Sequence, residues 1–153
     1  MSENGTNVGG WPAISMRTFV NNDIYNLLPI ELKNTIIDTT VVSSHGSNDS
    51  SNFTSTDKLY LLAPKEIYSN FSDTNDTAKD LTRTLDYYTA LGVTTSNYSG
   101  AIKKNETGAY YWWLRSAVSS IHFRFYAIHN SIGRCDDGLG GNAYGVSPAF
   151  RLG

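Results

Sequence analysis

Helical spacing of apolar residues is confined to the chain before Gly92, and aromatic, strand-like runs follow it. Segregation of this kind points to an α+β fold, because a doubly wound sheet needs helices and strands to alternate. Met16, Phe19, Val20, Ile24 and Leu27 recur near a 3.6-residue period, so the pattern predicts a helix over 14–28 with Ser15 as its cap. Pro29 interrupts that pattern and suits the first turn of a second helix over 29–37. The β-branched run 39–43 predicts a strand, the Ser/Asn/Asp/Gly-dense stretch 45–56 a loop, 58–63 a buried strand, and 64–68 one helical turn. Leu81, Leu85 and Tyr88 share a face of a third predicted helix over 76–91, with Asp76 or Thr77 at its start. Strands are predicted over 110–114, 123–128 and 145–152, separated by turn chemistry at Gly133 and across 136–142. Hydrophobic residues make up 40% of 153 residues, enough for one core. The reading is one domain over 11–153 after a polar, disordered or linker-like start at 1–10.

Charge and cysteine content narrow the chemistry. Only 17% of residues are charged, the net charge is −2, and no Lys/Arg block exists, so no nucleic-acid footprint is expected. No apolar run is long enough for direct membrane insertion. Cys135 is the single cysteine, so stability has to come from packing. It has no partner base nearby in sequence that would make it a nucleophile. His122 and His129 lie seven apart in a predicted strand, hence on opposite faces, which suits exposed polar contacts better than a metal site. Asp136, Asp137 and Asn142 offer oxygen ligands but lack the acidic density of a calcium loop, so a solvated turn is favoured. The glycines of 138–141 lack the Gly-Lys-Ser/Thr of a phosphate loop. The sequons at Asn52 and Asn97 are what an Asn/Ser/Thr-rich chain produces by chance. No enzyme, cofactor or metal is expected.

The stretch 117–144 has a restricted alphabet. Lys, Glu, Gln, Met and Trp are missing from it, and all but Gln occur earlier, as at Lys103, Lys104, Glu106 and Trp112. At the chain's own composition roughly three such residues would be expected there. Every residue type present has a codon ending in a pyrimidine, and each is reachable from an Asn codon by changing its two adenines. A chance composition on an ordinary hairpin is the competing explanation.

Tyr111-Trp112-Trp113-Leu114-Arg115-Ser116-Ala117 and Gly145-Val146-Ser147-Pro148-Ala149-Phe150-Arg151-Leu152 frame that stretch. Both resemble segments of bacterial and phage domains of the DUF6273 type, related to the C-type-lectin fold in its formylglycine-generating-enzyme-like branch. The residues from Ser15 to Asn21 resemble that family's first helix, and those from Asp57 to Leu62 one of its strands, so the resemblance spans nearly the whole chain. Some members are variable proteins of diversity-generating retroelements, in which a C-terminal segment is rewritten by adenine-directed mutagenesis. The resemblance implies a C-type-lectin-like fold with N-terminal helices and a small antiparallel C-terminal sheet. It implies a variable segment at about 118–144 that contacts a protein or glycan ligand on a cell or phage target. Its setting would be a cell surface or phage particle, within a longer protein. The lectin calcium motifs and the cysteine pair of the oxidase branch are absent, so neither property is carried over.

The candidate ligand contacts are Val118, Ser120, Ile121, His122, Phe123, Arg124, Ala127, His129, Ser131, Ile132, Arg134, Asp136, Asp137 and Leu139, expected to share one accessible face. Phe125, Tyr126 and Ile128 are expected to point inward. Trp112, Trp113, Phe150 and Leu152 are expected to anchor the sheet. An undiversified carbohydrate- or protein-binding domain of the same fold is the alternative.

Overall fold

A computed structural model describes residues 1–153. The architecture is mixed α+β: short helices dominate the first third and several small antiparallel sheets follow. Helix α1 (Gly10–Ala13) leads into a continuous helical stretch over 15–27, made of α2 (Ser15–Phe19), a π turn (Val20–Ile24) and α3 (Tyr25–Leu27). The predicted first helix is therefore present, with a π turn inside it. Asn21 sits in that turn. Its amide donates to Arg17 O (3.1 Å) and Leu59 O (2.8 Å), while its Oδ1 accepts from the N–H groups of Lys58 and Leu59, both at 3.0 Å. One side chain thus satisfies a helix carbonyl and fastens the helix to the strand-like run beside it.

The second helix is shorter than its pattern suggested. Only α4 (Ile30–Lys33) forms, and Ile36 and Ile37 turn into strand β1 (Ile36–Ile37). Strand β2 (Thr39–Ser43) pairs antiparallel with β3 (Phe53–Asp57), which uses the end of the predicted loop. Asp57 closes this hairpin onto the helices. Its carboxylate accepts from Trp11 Nε1 (2.9 Å), Ser55 Oγ (2.7 Å) and Arg17 Nε (2.6 Å). Leu59, Tyr60, Leu61, Leu62 and Ala63 are all buried as predicted, but they join no ladder beyond a single bridge from Tyr60 to Ala149.

Helix α5 (Pro64–Ile67) starts on proline, and Glu66 reaches back to accept from the Ala63 N–H at 2.7 Å. The long third helix does not form. A 3₁₀ turn (Lys79–Leu81) ends at extended Thr82, and α6 (Asp86–Ala90) begins after extended Leu85. Leu81 is 61% exposed, so its spacing with Tyr88 was coincidental.

Strands β4 (Lys103–Asn105) and β5 (Gly108–Tyr110) form a small hairpin. The main sheet has the order β6-β7-β8, from β6 (Trp112–Ala117), β7 (Arg124–Ile128) and β8 (Cys135–Leu139). All six residues of β6 are buried, and its register against β7 breaks between Trp113 and Ala117. Strand β8 replaces the predicted turn over 136–142. Of the predicted last strand only β9 (Arg151–Leu152) and bridges at Gly145 and Ala149 form. β9 pairs with β1, Ile36 opposite Leu152, so the end of the chain closes onto its first third. Trp112 and Trp113 are core residues as expected, but Leu152 is 60% exposed and Phe150 also faces solvent. A two-stranded edge gives those two side chains no second layer to pack under.

Residues 1–10 are tied down, contrary to the linker-like start expected from their polarity. Ser2 and Asn7 are buried, and the Ser2 N–H donates to Gly140 O at 2.9 Å. The attraction is backbone hydrogen bonding, which hydropathy does not register. No helix is long and apolar enough to cross a membrane.

Candidate ligand-contacting surface

The β7–β8 hairpin and the turn before it carry the candidate contacts. Register assigns their faces, since paired residues share a side and neighbours alternate. Trp113 pairs with Ala127 and Ala127 with Asp136, so Phe125, Ala127 and Asp136 lie on the Trp113 side. Arg124, Tyr126, Ile128, Cys135, Asp137 and Leu139 lie on the other. Phe125, Tyr126 and Ile128 are buried as expected, but not on one inward face: Phe125 lies opposite to Tyr126 and Ile128, and both sides of β7 are covered. Tyr126 packs edge-on against Phe71 at 5.8 Å, and its hydroxyl donates to Asp73 Oδ2 at 2.8 Å. Burial, followed by that carboxylate, raises the Tyr126 pKa and keeps it protonated.

Twelve of the fourteen candidate residues retain accessible surface: Ser120, His122, Ser131, Ile132, Arg134 and Leu139 are exposed, and Ile121, Phe123, Arg124, His129, Asp136 and Asp137 are intermediate. Val118 and Ala127 are corrections, at 4% and 1% exposure. Val118 opens the turn with its side chain turned into the core, and Ala127 lies opposite Trp113, where a larger side chain has no room.

The accessible residues do not share one face. They form two patches at opposite ends of the hairpin. One end holds the turn with Ser120, Ile121, His122 and Phe123, together with Arg124, its register partner Leu139 and Asp137, which Arg124 reaches. The other holds His129, Ser131, Ile132, Arg134 and Asp136, where the His129 N–H donates to Arg134 O at 2.9 Å. The five-residue strand separates them by roughly 13 Å.

Each patch contains internal polar contacts. Arg124 Nη1 donates to Asp137 Oδ1, while Arg134 Nη2 reaches Asp136 Oδ2 at 3.1 Å. The second patch also has an aromatic platform: Tyr111 stacks on Tyr144 at 4.8 Å and meets the His129 ring at 4.7 Å, and Tyr144 continues onto Trp113 at 4.4 Å. Tyr111 and Tyr144 were outside the candidate set. Their signal was present, an aromatic opening the motif before the restricted stretch and another at its end, but core and contact aromatics look alike in sequence. Beside them a shallow cleft of about 220 Å³ is lined by Ala109, Tyr110, Asn130 and Ala143.

The glycines of the stretch serve packing. A Cβ at Gly138 would lie 2.7 Å from the Tyr144 ring and 3.0 Å from Trp113, so the platform needs glycine beneath it. Gly133 has φ +78°, and a Cβ there would lie 2.3 Å from Tyr98 O.

The rest of the chain grips this segment largely through its main chain. Asn7, fully buried, donates its side-chain amide to Ile121 O (2.7 Å), Arg124 O (2.8 Å) and Val118 O (3.4 Å). Its backbone N–H donates to His122 O at 2.8 Å, and Thr6 Oγ1 donates to the same carbonyl at 3.1 Å. Ser44 Oγ donates to Ala117 O, and Tyr68 Oη to Gly133 O at 2.5 Å. Gly46 leaves room for Asn7, since a Cβ there would fall 1.8 Å from Asn7 Oδ1.

Chemically reactive groups are not gathered here. Burial, reinforced by the carboxylates of Asp76 and Asp136, pushes the Cys135 thiol well up, which disfavours a thiolate. His122 and His129 stand beyond opposite ends of β7, and no three His, Cys, Asp or Glu side chains converge to hold a metal.

No curated protein and no solved structure matches the chain. The family described as "Domain of unknown function (DUF6273)" matches residues 1–153, and the chain belongs to that family over its whole length.

Proposed function

We propose that this chain is a ligand-binding domain of C-type-lectin-like type whose segment 118–144 is diversified by a retroelement to vary binding specificity. One observation carries the reading: the framework holds the segment through carbonyl oxygens at 117, 118, 121, 122, 124 and 133, which every amino acid supplies. Side chains at accessible positions can then change while the grip stays the same. The pyrimidine-codon alphabet of the stretch supports the same conclusion. So does the burial of the framework beneath it, where random volume changes cost about 1–5 kcal/mol. The helices-first order and the small antiparallel sheets are consistent with the lectin-like fold. The ligand is a protein or glycan on a cell or phage target. His129, Arg134 and the Tyr111–Tyr144 platform supply aromatic and arginine contacts of the kind that dominate binding energy.

The alternative, an undiversified binding domain of the same fold, is favoured by the Arg124–Asp137 contact, a matched pair inside the segment. Sequencing sibling copies of the gene separates the two. Diversification requires substitutions at adenine-derived positions among the twelve accessible residues, sparing Val118, Ala127, Phe125, Tyr126, Ile128, Gly133 and Gly138. Identical siblings, or changes scattered over the whole chain, refute it. Binding itself is tested by alanine replacement of His122, Arg134 and His129, which should lower ligand affinity at nearly constant melting temperature. Unchanged affinity, or loss of folding in step with binding, removes the two patches as the recognition surface.

A further inference from the structure

A cleft of about 490 Å³ lies outside the 118–144 segment, walled by β2, Tyr60, Glu66, the stretch 81–85, Arg115 and Arg151. Its volume suits a small organic ligand. Arg115 is brought there by the break in the β6 register, which takes its backbone out of the β7 ladder and onto Leu62 O at 3.0 Å. The side chain is 1% exposed and held by two of its three nitrogens: Nε donates to Val42 O at 3.0 Å, and Nη1 to Leu61 O at 2.8 Å and to Glu66 Oε2 at 2.5 Å. Nη2 has no partner in the protein.

The charges around the cleft do not cancel. Glu66 is matched by Arg115, and Arg83 by Asp86 at 3.0 Å on the rim. Arg151 forms no ion pair, so the cleft carries excess positive charge. Two hydroxyls among its lining, Thr39 Oγ1 and Thr82 Oγ1, are buried without a hydrogen-bond partner, and Thr39 is almost fully buried. Unpaired buried hydroxyls cost free energy unless a ligand engages them. Nη2 of a guanidinium, left without a partner, is a charged donor suited to an oxyanion. We infer that this cleft binds a small hydroxylated ligand bearing a carboxylate or phosphate group, with Arg151 and Nη2 of Arg115 on the anion and Thr39 and Thr82 on the hydroxyls.

The site shares no residue with the proposed recognition patches, so its test is independent of them. The full chain is titrated calorimetrically with glucuronate, glucose 6-phosphate and glucose. The charged sugars distinguish carboxylate from phosphate as the anion, and glucose reports the hydroxylated body alone. At least one charged sugar should bind saturably and more tightly than glucose. Arg151→Gln should weaken it about tenfold, the loss expected for one charge-assisted hydrogen bond, with melting temperature unchanged because Arg151 is exposed. Thr39→Val, nearly isosteric, should also weaken binding and should not cost stability, since it removes a hydroxyl without a partner. The proposal is overturned if glucose binds as tightly as the charged sugars or if neither charged sugar binds up to about 20 mM, a bound set by the weakest specific affinities. It is also overturned if both variants keep full affinity.

Discussion

Replacing Asn7 by alanine isolates the grip on the 118–144 segment. Three carbonyls lose a donor, but not equally. Arg124 O still accepts from the Val118 N–H at 3.1 Å, and Val118 O from the Ile121 N–H at 3.1 Å, whereas Ile121 O is left with no donor. One part-buried acceptor stranded, one bond of 2.8 Å lost and one weak bond of 3.4 Å lost give about 2–4 kcal/mol. For a domain of this size each kcal/mol moves the melting temperature by about 2–4 °C, so Asn7→Ala should melt about 5–15 °C lower. Urea denaturation with an unchanged m-value would give the same free-energy difference. The grip runs through main-chain atoms, so its cost should be independent of segment side chains. Asn7→Ala combined with His122→Ala should be additive within about 0.5 kcal/mol. A loss below about 0.5 kcal/mol for Asn7→Ala, or strong coupling to His122→Ala, would refute the argument that backbone carbonyls hold the segment.

Other outcomes follow from burial and charge. Ala127→Leu, opposite Trp113, should cost about 1–3 kcal/mol by overpacking, whereas Ser131→Leu at an exposed position should stay within about 0.5 kcal/mol, both read from thermal melts. Arg115→Ala breaks a buried ion pair and strands the Val42 and Leu61 carbonyls, so it should destabilise by about 3–5 kcal/mol, while Arg83→Ala, whose pair with Asp86 is exposed, should cost less than about 1 kcal/mol. Burial raises the Asp76 carboxyl above its ordinary value of 3.8, so the folded state holds its proton to higher pH than the unfolded state. That contribution is fully present below the unfolded value and is lost as pH rises through the folded one. Asp76→Asn, measured by denaturation across that window, should flatten the decline.

What was legible in the sequence was what hydrophobic patterning encodes. The first helix, the buried run 59–63, the aromatic strand β6 and the burial of Phe125, Tyr126 and Ile128 all follow from apolar content. Strand β8 was missed because Cys-Asp-Asp-Gly-Leu reads as turn chemistry, and only pairing with β7 makes it extended. The 76–91 helix was misread because Leu81, Leu85 and Tyr88 satisfy a period by accident, with Leu81 in solvent. Asn7 was invisible for a different reason. An asparagine in a polar decapeptide carries no hydropathic signal, and its partners are carbonyls, which have no sequence identity. The division of the candidate contacts into two patches depended on register, which the patterning of 118–144 does not specify.

Asn7 and Arg124 are 117 residues apart along the chain, and β1 finds its partner only at Arg151 and Leu152. A nascent chain can dock its first helices on the β2–β3 hairpin early, through Trp11 and Asp57, but the grip of Asn7 comes later. Asn7 stays without its carbonyl partners until residues 118–124 have been synthesised. Such a topology closes long loops before the contacts that reward them exist, so folding should be slow and late, with aggregation competing during the wait. Translation speed and chaperone supply would then affect the yield of folded protein more than further gains in equilibrium stability.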